Sequence, residues 1–436
     1  MEKNEKRIVI ILKKTYLLPL FVMLLCLGLL MGEKTAQAGS LSMRGVWVSV
    51  FEFKEIGLTG NKSETTFRAN ARDLFSKIKA NGCNNVFFHV RSHNDAIYES
   101  DLVSWSKTFL NGASAPTYDP LKILVEEAHK KGLKFHAWMN PYRISSSKIL
   151  NPAKESTIEK IAGQAEEIVK NYDVDGIHMD DYFYPTNIKK YAKVAKKKKY
   201  KNTNAMIQTV YKAVKEADKS VAFGISPAGN LSYNATIGAD VKTWLSEDGY
   251  VDYVAPQIYW TNSYLMAGKK VKLFDKVLKS WREINTADRP MYIGLALYRA
   301  GTTTVAEDPG WKKRSNNLAT MIKKIKAGNT EGYILYDYVS LYRSSAWKEV
   351  KNLLGSICKF KLNKKKKTLK VGKSYKLKVL GASPSRAKKN ITFKSTKKSV
   401  VRVTKKGKVK AIKKGKAKVI AYIGGKRRVC RIRVKG

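Results

Sequence analysis

Short apolar runs alternate with longer segments of helical periodicity through residues 44–338, and this alternation restricts the fold more than any other feature. Strands that alternate with helices pair in parallel, because each helix returns the chain to the same end of the sheet. The eight runs are residues 44–50, 85–91, 133–140, 176–182, 221–226, 251–260, 291–298 and 332–338. Eight units in roughly 300 residues predict an α/β fold of the (β/α)8 TIM-barrel type. An open doubly wound sheet is the competing fold, but no glycine-rich phosphate loop follows the first run.

The composition changes near Ser356, and residues 356–436 form a second predicted domain. This segment contains 31 Lys and Arg residues and no Asp or Glu. Short alternating stretches, such as residues 417–422 and 429–434, are separated by glycine-containing turns. The pattern predicts a small all-β Ig-like sandwich with apolar residues inside and lysines outside. We therefore divide the chain into a barrel over residues 42–355 and a basic Ig-like domain over 356–436.

Residues 1–38 have the pattern of an export signal. Basic residues at the start precede an apolar run over residues 16–31, and Ala36-Gln37-Ala38 supplies the small residues of a cleavage site. A retained membrane anchor is the alternative, but the run is short for a spanning helix. We expect cleavage after Ala38 and a secreted protein, associated with the cell wall or surface, with no membrane span afterwards.

The net charge of +49 indicates polyanionic partners or an anionic surface. So many lysines give affinity for any polyanion, nucleic acids included. Export argues against a nucleic-acid partner. We therefore expect the basic C-terminal domain to dock on anionic cell-wall polymers.

Three cysteines follow the predicted cleavage site, namely Cys83, Cys358 and Cys430. An odd number is not a disulfide framework. Cys358 and Cys430 bracket the C-terminal domain, and the sequence leaves open whether they pair. Cys83 precedes an apolar strand and is expected to be a buried free thiol.

The fourth apolar run ends in the most informative motif of the sequence. Active sites of TIM barrels lie at the C-terminal ends of the strands. Strand alternation puts Ile177 and Met179 on one face and His178 and Asp180 on the other, with Asp180 at the mouth. An ionisable residue there is costly unless it is paired or functional. We predict that Asp180 is catalytic and that Asp181 is a second candidate; a loop cap or a salt bridge is the structural alternative.

The same alternation places polar and aromatic residues of other strands at this mouth. Aromatic rings beside carboxylates and amides suit sugars, because a ring covers the apolar face of a pyranose while amides bond its hydroxyls. The predicted substrate-binding residues are Arg91, His136, Trp138, Asn140, Tyr142, Arg143, His178, Gln257, Tyr259 and Trp260. This set predicts a polysaccharide substrate and needs no cofactor.

Glycoside hydrolysis requires a proton donor and a second carboxylate that acts as nucleophile or base. We assign Asp180 as the nucleophile or base and leave the donor between Asp181 and Asp337, which ends the eighth run. Glutamates are scarce near the strand ends, apart from Glu52, Glu55 and Glu99. An alternative is a metal-dependent hydrolase or deacetylase, with ligands drawn from His89, His136, His178 and Asp180.

Several long motifs occur within about residues 42–345 in the order of a known family. They include Met43-Arg44-Gly45-Val46-Trp47-Val48, His136-Ala137-Trp138-Met139-Asn140-Pro141-Tyr142-Arg143, Asp175-Gly176-Ile177-His178-Met179-Asp180-Asp181-Tyr182 and Pro256-Gln257-Ile258-Tyr259-Trp260. This region resembles the glycosyl hydrolase-like family 10 proteins. The resemblance implies a TIM-type barrel that acts on bacterial glycans, in some members on peptidoglycan strands, and its strand-four aspartate pair maps onto Asp180 and Asp181. The chain departs from the family at His93-Asn94 and in the lysine-rich residues 196–199.

The C-terminal domain resembles bacterial Ig-like group 2 modules through Leu369-Lys370-Val371-Gly372-Lys373 and Gly415-Lys416-Ala417-Lys418-Val419. Such modules serve as surface spacers or adhesins. The sequence thus predicts a secreted glycoside hydrolase acting on a bacterial cell-wall glycan, with peptidoglycan strands as the favoured substrate. The alternatives are a non-catalytic glycan-binding surface protein and the metal-dependent enzyme.

Overall fold

The computed structural model describes residues 41–302, 305–328 and 330–436. The predicted export signal, residues 1–38, lies outside these ranges. Among the described helices, none combines the length and the apolar character that crossing a membrane requires.

Eight parallel strands form the predicted barrel. They are β1 (Met43–Val48), β2 (Asn85–Arg91), β3 (Lys134–Met139), β4 (Gly176–Met179), β5 (Ala222–Ile225), β6 (Tyr253–Val254), β7 (Tyr292–Ala296) and β8 (Gly332–Tyr336). Consecutive strands from β1 to β6 pair in parallel, β7 pairs with β8, and β8 pairs with β1. Parallel bridges from Val254 to Met291 and from Gln257 to Gly294 join β6 to β7 and close the sheet.

Seven of the eight strands are shorter than the apolar runs that predicted them, and two of these differences affect the mouth. β6 ends at Val254 rather than continuing to residue 260, because Pro256 has no N–H group to donate to a neighbouring strand. β4 ends at Met179, so that Asp180 and Asp181 lie in the loop directly after the strand. The shorter β4 therefore places both aspartates at the mouth.

Eight main helices surround the strands. They are α1 (Glu64–Ala80), α2 (Pro120–Lys130), α3 (Glu155–Asn171), α4 (Lys196–Ala217), α5 (Leu231–Ile237), α6 (Leu273–Ile284), α7 (Asn317–Lys326) and α8 (Trp347–Ile357). Shorter helical turns are Phe53–Ile56, Lys107–Leu110, Lys189–Ala192, Val241–Trp244 and Gly310–Lys313, and a hairpin of Tyr264–Met266 and Lys269–Val271 follows β6. Local sequence explains where several begin: the Asp119 carboxylate accepts a hydrogen bond from the Lys122 N–H at 3.0 Å, and Pro120 occupies the first turn of α2.

Strand alternation divides the core of the barrel into two layers, as predicted. Ile177 and Met179 pack outward in the large apolar cluster between strands and helices. The interior contains a smaller cluster of Met43, Trp47, Phe87, Trp138, Tyr253, Ala255 and Ile334. His178 is fully buried and contacts the Phe87 and Tyr253 rings of this inner layer. This inner layer of side chains therefore lies directly beneath the mouth of the barrel.

The C-terminal domain is the predicted all-β sandwich. Its strands are β9 (Lys359–Leu362), β10 (Lys366–Lys370), β11 (Ser374–Lys376), β12 (Val379–Ser383), β13 (Ile391–Ser395), β14 (Val401–Val403), β15 (Lys408–Ala411), β16 (Gly415–Ile423) and β17 (Lys426–Lys435). A four-stranded sheet, β10-β17-β16-β13, faces a three-stranded sheet, β11-β15-β14, and β9 pairs with β12. The core between the sheets contains Leu369, Leu377, Val401, Val409, Val419, Cys430 and Ile432.

The three cysteines within the described ranges, Cys83, Cys358 and Cys430, are buried free thiols. Cys358 belongs to the barrel cluster and Cys430 to the core of the Ig-like domain, so the open question of their pairing is answered by their separate locations. Cys83 is buried and free, as predicted.

The Ig-like domain packs against the barrel beside α1 and α8. The Arg386 guanidinium donates hydrogen bonds to the Asn81 side-chain oxygen and the Leu341 carbonyl, each at 2.8 Å. The same guanidinium lies 4.1 Å from the ring centre of Tyr342 and 4.9 Å from that of Trp347. Asn81 precedes β2, whereas Leu341, Tyr342 and Trp347 follow β8, so the domain packs along the side of the barrel.

Replacing Arg386 with alanine is expected to lower the free energy of unfolding by about 1–3 kcal/mol, since two hydrogen bonds and two cation–π contacts are lost together. Urea denaturation of the full chain, followed by tryptophan fluorescence, measures the change. Arg402→Ala, at an exposed position of β14, is the matched control. Equal losses in the two variants would contradict a specific role for the Arg386 contact.

Candidate active site

A stacked pair of rings supports the floor of the mouth. The Trp138 indole lies on the His89 imidazole with ring centres 3.9 Å apart and planes 4° from parallel. The His89 Nε2 is 3.1 Å from the Asn140 side-chain oxygen. The Trp138 Nε1–H donates to the Asp180 carboxyl at 3.2 Å. The ends of β2, β3 and β4 are therefore held in one hydrogen-bonded unit that orients Asp180.

Asp180 and Asp181 form a carboxyl pair at the end of β4. The Tyr182 N–H donates to Asp180 at 3.2 Å, and the Gln257 side-chain amide donates to Asp181 at 3.3 Å. Asp180 is only 3% exposed, whereas Asp181 is partly exposed and lines a cleft of ≈ 370 Å³. The pair thus has one enclosed member and one member that faces the cleft.

The environment of the pair favours protonation. Burial raises the pKa of Asp180 well above its ordinary value, and the neighbouring charge of Asp181 raises it further. Burial raises the pKa of Asp181 to about 6, against the opposing hydrogen bond from Gln257. Asp181 therefore ionises first, and its charge keeps the proton on Asp180.

The ends of β8 and β1 form the opposite wall. In the closed order of strands β8 lies four strands from β4 in either direction, so their ends face each other across the mouth. The Asp337 carboxylate accepts a hydrogen bond from the Ser340 hydroxyl. The Tyr259 and Tyr336 rings stack at 6.2 Å, and the Tyr298 ring meets both edge-on. Asp337 therefore stands beside an aromatic wall, across from the aspartate pair.

Glu52 is a buried carboxyl whose importance the sequence did not reveal. The backbone N–H groups of Ser49 and Val339 donate to it at 2.6 and 2.8 Å, which ties the loop after β1 to the loop after β8. Burial, together with the charge of Asp337, raises the pKa of Glu52 to about 8. The contact with Ser49 is a capping box that the local sequence signals, whereas the contact with Val339 depends on the adjacency of β1 and β8 in the closed barrel.

Three exposed aromatic residues surround the mouth and were also missed. Phe51 is 69% exposed after β1, Tyr182 46% after β4 and Tyr233 43% in α5. The Arg143 guanidinium lies 4.2 Å from the centre of the Tyr182 ring, and both residues line the cleft beside Asp181. Large exposed rings on one face mark a ligand-binding surface, and flat rings with polar edges suit sugars.

Five predicted substrate-binding residues are buried, and their side chains are enclosed by protein. The Arg91 guanidinium is fully buried and bonded to Gln164 and to the backbone after β3, including the Pro141 carbonyl at 3.0 Å. The others are His136, stacked on Phe87 at 4.4 Å; Asn140, bonded to the Ser92 carbonyl; Tyr142, enclosed beside Phe183; and His178, bonded to Tyr253 and Ser226.

The remaining predicted residues meet at the mouth. Arg143, Gln257, Tyr259, Trp260 and Asp337 are partly exposed there, and Trp138 lies beneath them at 6% exposure. Strand alternation identifies which side of the sheet a residue faces, but not its depth below the mouth. That is why His136 and His178 were grouped with residues nearer the opening.

The histidines proposed as metal ligands are each engaged within the protein. Burial lowers the pKa of His89 to about 3 and that of His136 to about 4, so both are neutral and bonded to amide or hydroxyl partners. Across the part of the chain that the structure describes, no three His, Cys, Asp or Glu side chains are grouped to hold one metal ion. The metal-dependent alternative therefore lacks the ligand cluster on which it depended.

A (β/α)8 barrel with carboxyls and exposed aromatic rings at its mouth is an arrangement found in glycoside hydrolases, and the comparisons with known proteins identify this class. The family model of glycosyl hydrolase-like 10 matches residues 42–160 and 144–313, and that of the bacterial Ig-like domain (group 2) matches residues 358–426. The chain belongs to the glycosyl hydrolase-like 10 family and carries a group 2 bacterial Ig-like domain. The protein is a glycoside hydrolase, and the non-catalytic alternative is set aside.

Named relatives are similar to more than half of the chain. The chain is 30% identical over 349 residues to the glycosyl hydrolase DigH of Escherichia coli K12, covering 64% of this chain and 78% of that protein. It is 31% identical over 299 residues to the glycosyl hydrolase YngK of Bacillus subtilis, covering 55% and 56%. The PgaB glycoside hydrolase domain of Bordetella bronchiseptica matches with a TM-score of 0.48 at 13% identity, covering 71% of this chain and 98% of that one.

Replacing Asp181 with asparagine is expected to raise the free energy of unfolding at pH 8 by about 1–3 kcal/mol, because the folded protein then no longer holds a carboxylate in a site that disfavours charge. In the wild-type protein, the raised pKa of Asp181 lowers the free energy of unfolding, and this loss is complete above pH 6. The gain therefore shrinks as the pH falls through 6 and disappears below about 4, where the unfolded chain is protonated as well. Urea denaturation between pH 4 and 8 measures it. The exposed Asp101→Asn is the control, and a gain independent of pH would contradict the raised pKa.

Proposed function

We propose that this glycoside hydrolase is secreted and cleaves a bacterial cell-wall glycan, with peptidoglycan strands as its substrate, through the Asp180–Asp181 pair. The observation that carries the proposal is this pair, with both carboxyl pKa values raised at the C-terminal end of β4. The family resemblance of the sequence supports a bacterial glycan. The pattern of residues 1–38 supports export.

The electrostatics of the pair support a division of roles. Glycoside hydrolysis needs one protonated and one ionised carboxyl at the same time. Asp180 retains its proton when Asp181 ionises, which suits Asp180 as the general acid and Asp181 as the nucleophile or base. This reverses the roles expected from sequence, where Asp180 was the nucleophile or base and the donor was Asp181 or Asp337. Asp337 then contributes to the opposite wall of the site.

The aromatic residues support an extended sugar chain as substrate. Tyr182 and Tyr233 line one cleft beside Asp181, and the exposed Phe51 follows β1 at another part of the mouth. Tyr182, with Arg143 over its ring, lies directly after the aspartate pair. We assign these rings to sugar-stacking positions beside the scissile bond.

The basic domain supports retention at the cell wall. It brings 31 positive side chains and no carboxylate side chain. We assign this domain to docking on anionic wall polymers and the protein to the wall or cell surface.

Substituting asparagine for Asp180 or for Asp181 is expected to lower kcat/KM at least about a hundredfold, because each removes an essential proton-transfer or nucleophilic group. Release of reducing ends from purified peptidoglycan, with and without stem peptides, measures the loss. Asp337→Asn is expected to cost less, and the exposed Asp101→Asn nothing. Wild-type activity is expected to fall below about pH 6, where Asp181 becomes protonated.

An aryl glycoside with a good leaving group separates the two roles, since such a leaving group departs without a proton. It is expected to restore hydrolysis by Asp180→Asn but not by Asp181→Asn. Restoration of Asp181→Asn alone would reverse the roles. Full activity of a folded Asp180→Asn variant on peptidoglycan would remove the pair from the mechanism. If aryl glycosides are hydrolysed but no reducing ends are released from any wall glycan, the proposed substrate is wrong. The assignment as a glycoside hydrolase is unaffected by that result.

A further inference from the structure

The outer face of the four-stranded sheet of the Ig-like domain carries positive side chains in rows that cross the strands. The register places Lys366, Arg431 and Lys418 side by side on β10, β17 and β16. The next outward-facing row contains Thr368, Arg433 and Lys416, and the third contains Lys370 and Lys435. All of these charged side chains are exposed, while the alternate positions of the same strands, such as Ile432 and Val434, are buried. The face is therefore a regular array of seven cations.

This array is unfavourable to the folded domain by itself. Like charges directly opposite each other on neighbouring strands destabilise a sheet. The domain has no Asp or Glu to offset them, and none of the ion pairs in the described ranges involves a side chain of residues 356–436. A bound polyanion would neutralise the rows and release their counterions.

The spacing of the rows matches one kind of polyanion. Side chains on one face of a strand repeat every second residue, which is six backbone bonds and about 6.8 Å. A polymer with six backbone bonds between successive phosphates, such as a poly(glycerol phosphate) chain, has the same extended repeat. Arg431 and Arg433 stand one repeat apart on the central strand, and the planar guanidinium is suited to binding phosphate through two hydrogen bonds.

A groove lies along the array, and a second groove adjoins it. Lys366, Lys418, Arg431 and Arg433 border a groove of ≈ 420 Å³, and Arg431 also borders an adjoining groove of ≈ 800 Å³ lined by Lys361, Lys365 and Arg428. A linear polymer can follow this path for several repeats. Single-stranded nucleic acid has a similar phosphate repeat but also needs rings on which its bases stack. The three rows contain Lys, Arg and Thr and no aromatic residue, and Phe360 beside the second groove is buried, which favours a polymer without bases.

We propose that the outer face of β10, β17 and β16 binds an extended polyol phosphate polymer, with successive phosphates on the cation rows. This inference deepens the proposed docking on the cell wall and rests on it, but it is independent of the hydrolytic part of the proposed function. The observation that supports this proposal is that the rows of cations lie one two-residue strand repeat apart.

The test uses the full chain and compares two triple variants of equal net charge. The array variant is Lys418→Gln, Arg431→Gln and Arg433→Gln, and the control is Lys405→Gln, Lys406→Gln and Lys413→Gln, in exposed turns of the same domain. Binding to purified poly(glycerol phosphate) is titrated at several salt concentrations. The array variant is expected to lose at least about tenfold in affinity and to reduce the salt dependence, d log K/d log[salt], by about 2, because three phosphate contacts are removed. The control is expected to keep both values close to wild type.

Four outcomes would overturn the inference. They are equal losses in the two variants, absence of wild-type binding at low salt, equal or tighter binding of polygalacturonate, and equal or tighter binding of single-stranded oligothymidylate. Hydrolysis of a soluble oligosaccharide is measured alongside and is expected to be unchanged in both variants. Failure of binding with intact hydrolysis would reject the polymer site alone, whereas failure of hydrolysis in wild type would reject the proposed enzyme function.

Discussion

Closure of the parallel sheet is the constraint on which the rest of this structure depends. Because every strand runs in the same direction, the bridges between β6 and β7 bring all eight carboxyl ends to a single mouth. Residues far apart in sequence, such as Asp180 after β4 and Asp337 after β8, then share one site. Glu52 strengthens the closure locally by joining the loops that follow β1 and β8. The Ig-like domain packs on the barrel through Arg386, which contacts Asn81 before β2 and Leu341 after β8.

The aspartate pair is held in an environment that opposes its charge. Asp180 is almost completely enclosed, and the Trp138–His89 stack and two N–H donors fix its orientation. Burying a carboxyl without a cationic partner costs stability, and a site that accepts such a cost commonly uses the perturbed pKa in catalysis. The Ig-like domain accepts a similar cost with charges of the opposite sign, because seven exposed cations repel one another across three strands. Each domain therefore tolerates unfavourable electrostatics on the surface that we assign to its ligand.

The features that could be predicted from the sequence are those that depend on a local periodicity or on composition. Alternation identified the eight strands and the inward side of β4, and composition identified the change of domain near residue 356. Depth within the barrel was not predictable, because His136 and Trp138 have the same parity and differ only by one step toward the mouth. The role of Glu52 requires the contact between β1 and β8, and the exposure of Phe51 requires the packing of whole loops. These are tertiary properties, which no single segment encodes.

The central claim is that Asp180 holds a proton while Asp181 is ionised, which is the state that glycosidic cleavage requires. Carbon-13 NMR titration of the aspartate carboxyls, assigned with the Asp180→Asn and Asp181→Asn variants, measures this directly. The account predicts that Asp181 titrates near pH 6 and that Asp180 titrates at a higher pH. Titration of both carboxyls near pH 4, the ordinary value for aspartate, would contradict it.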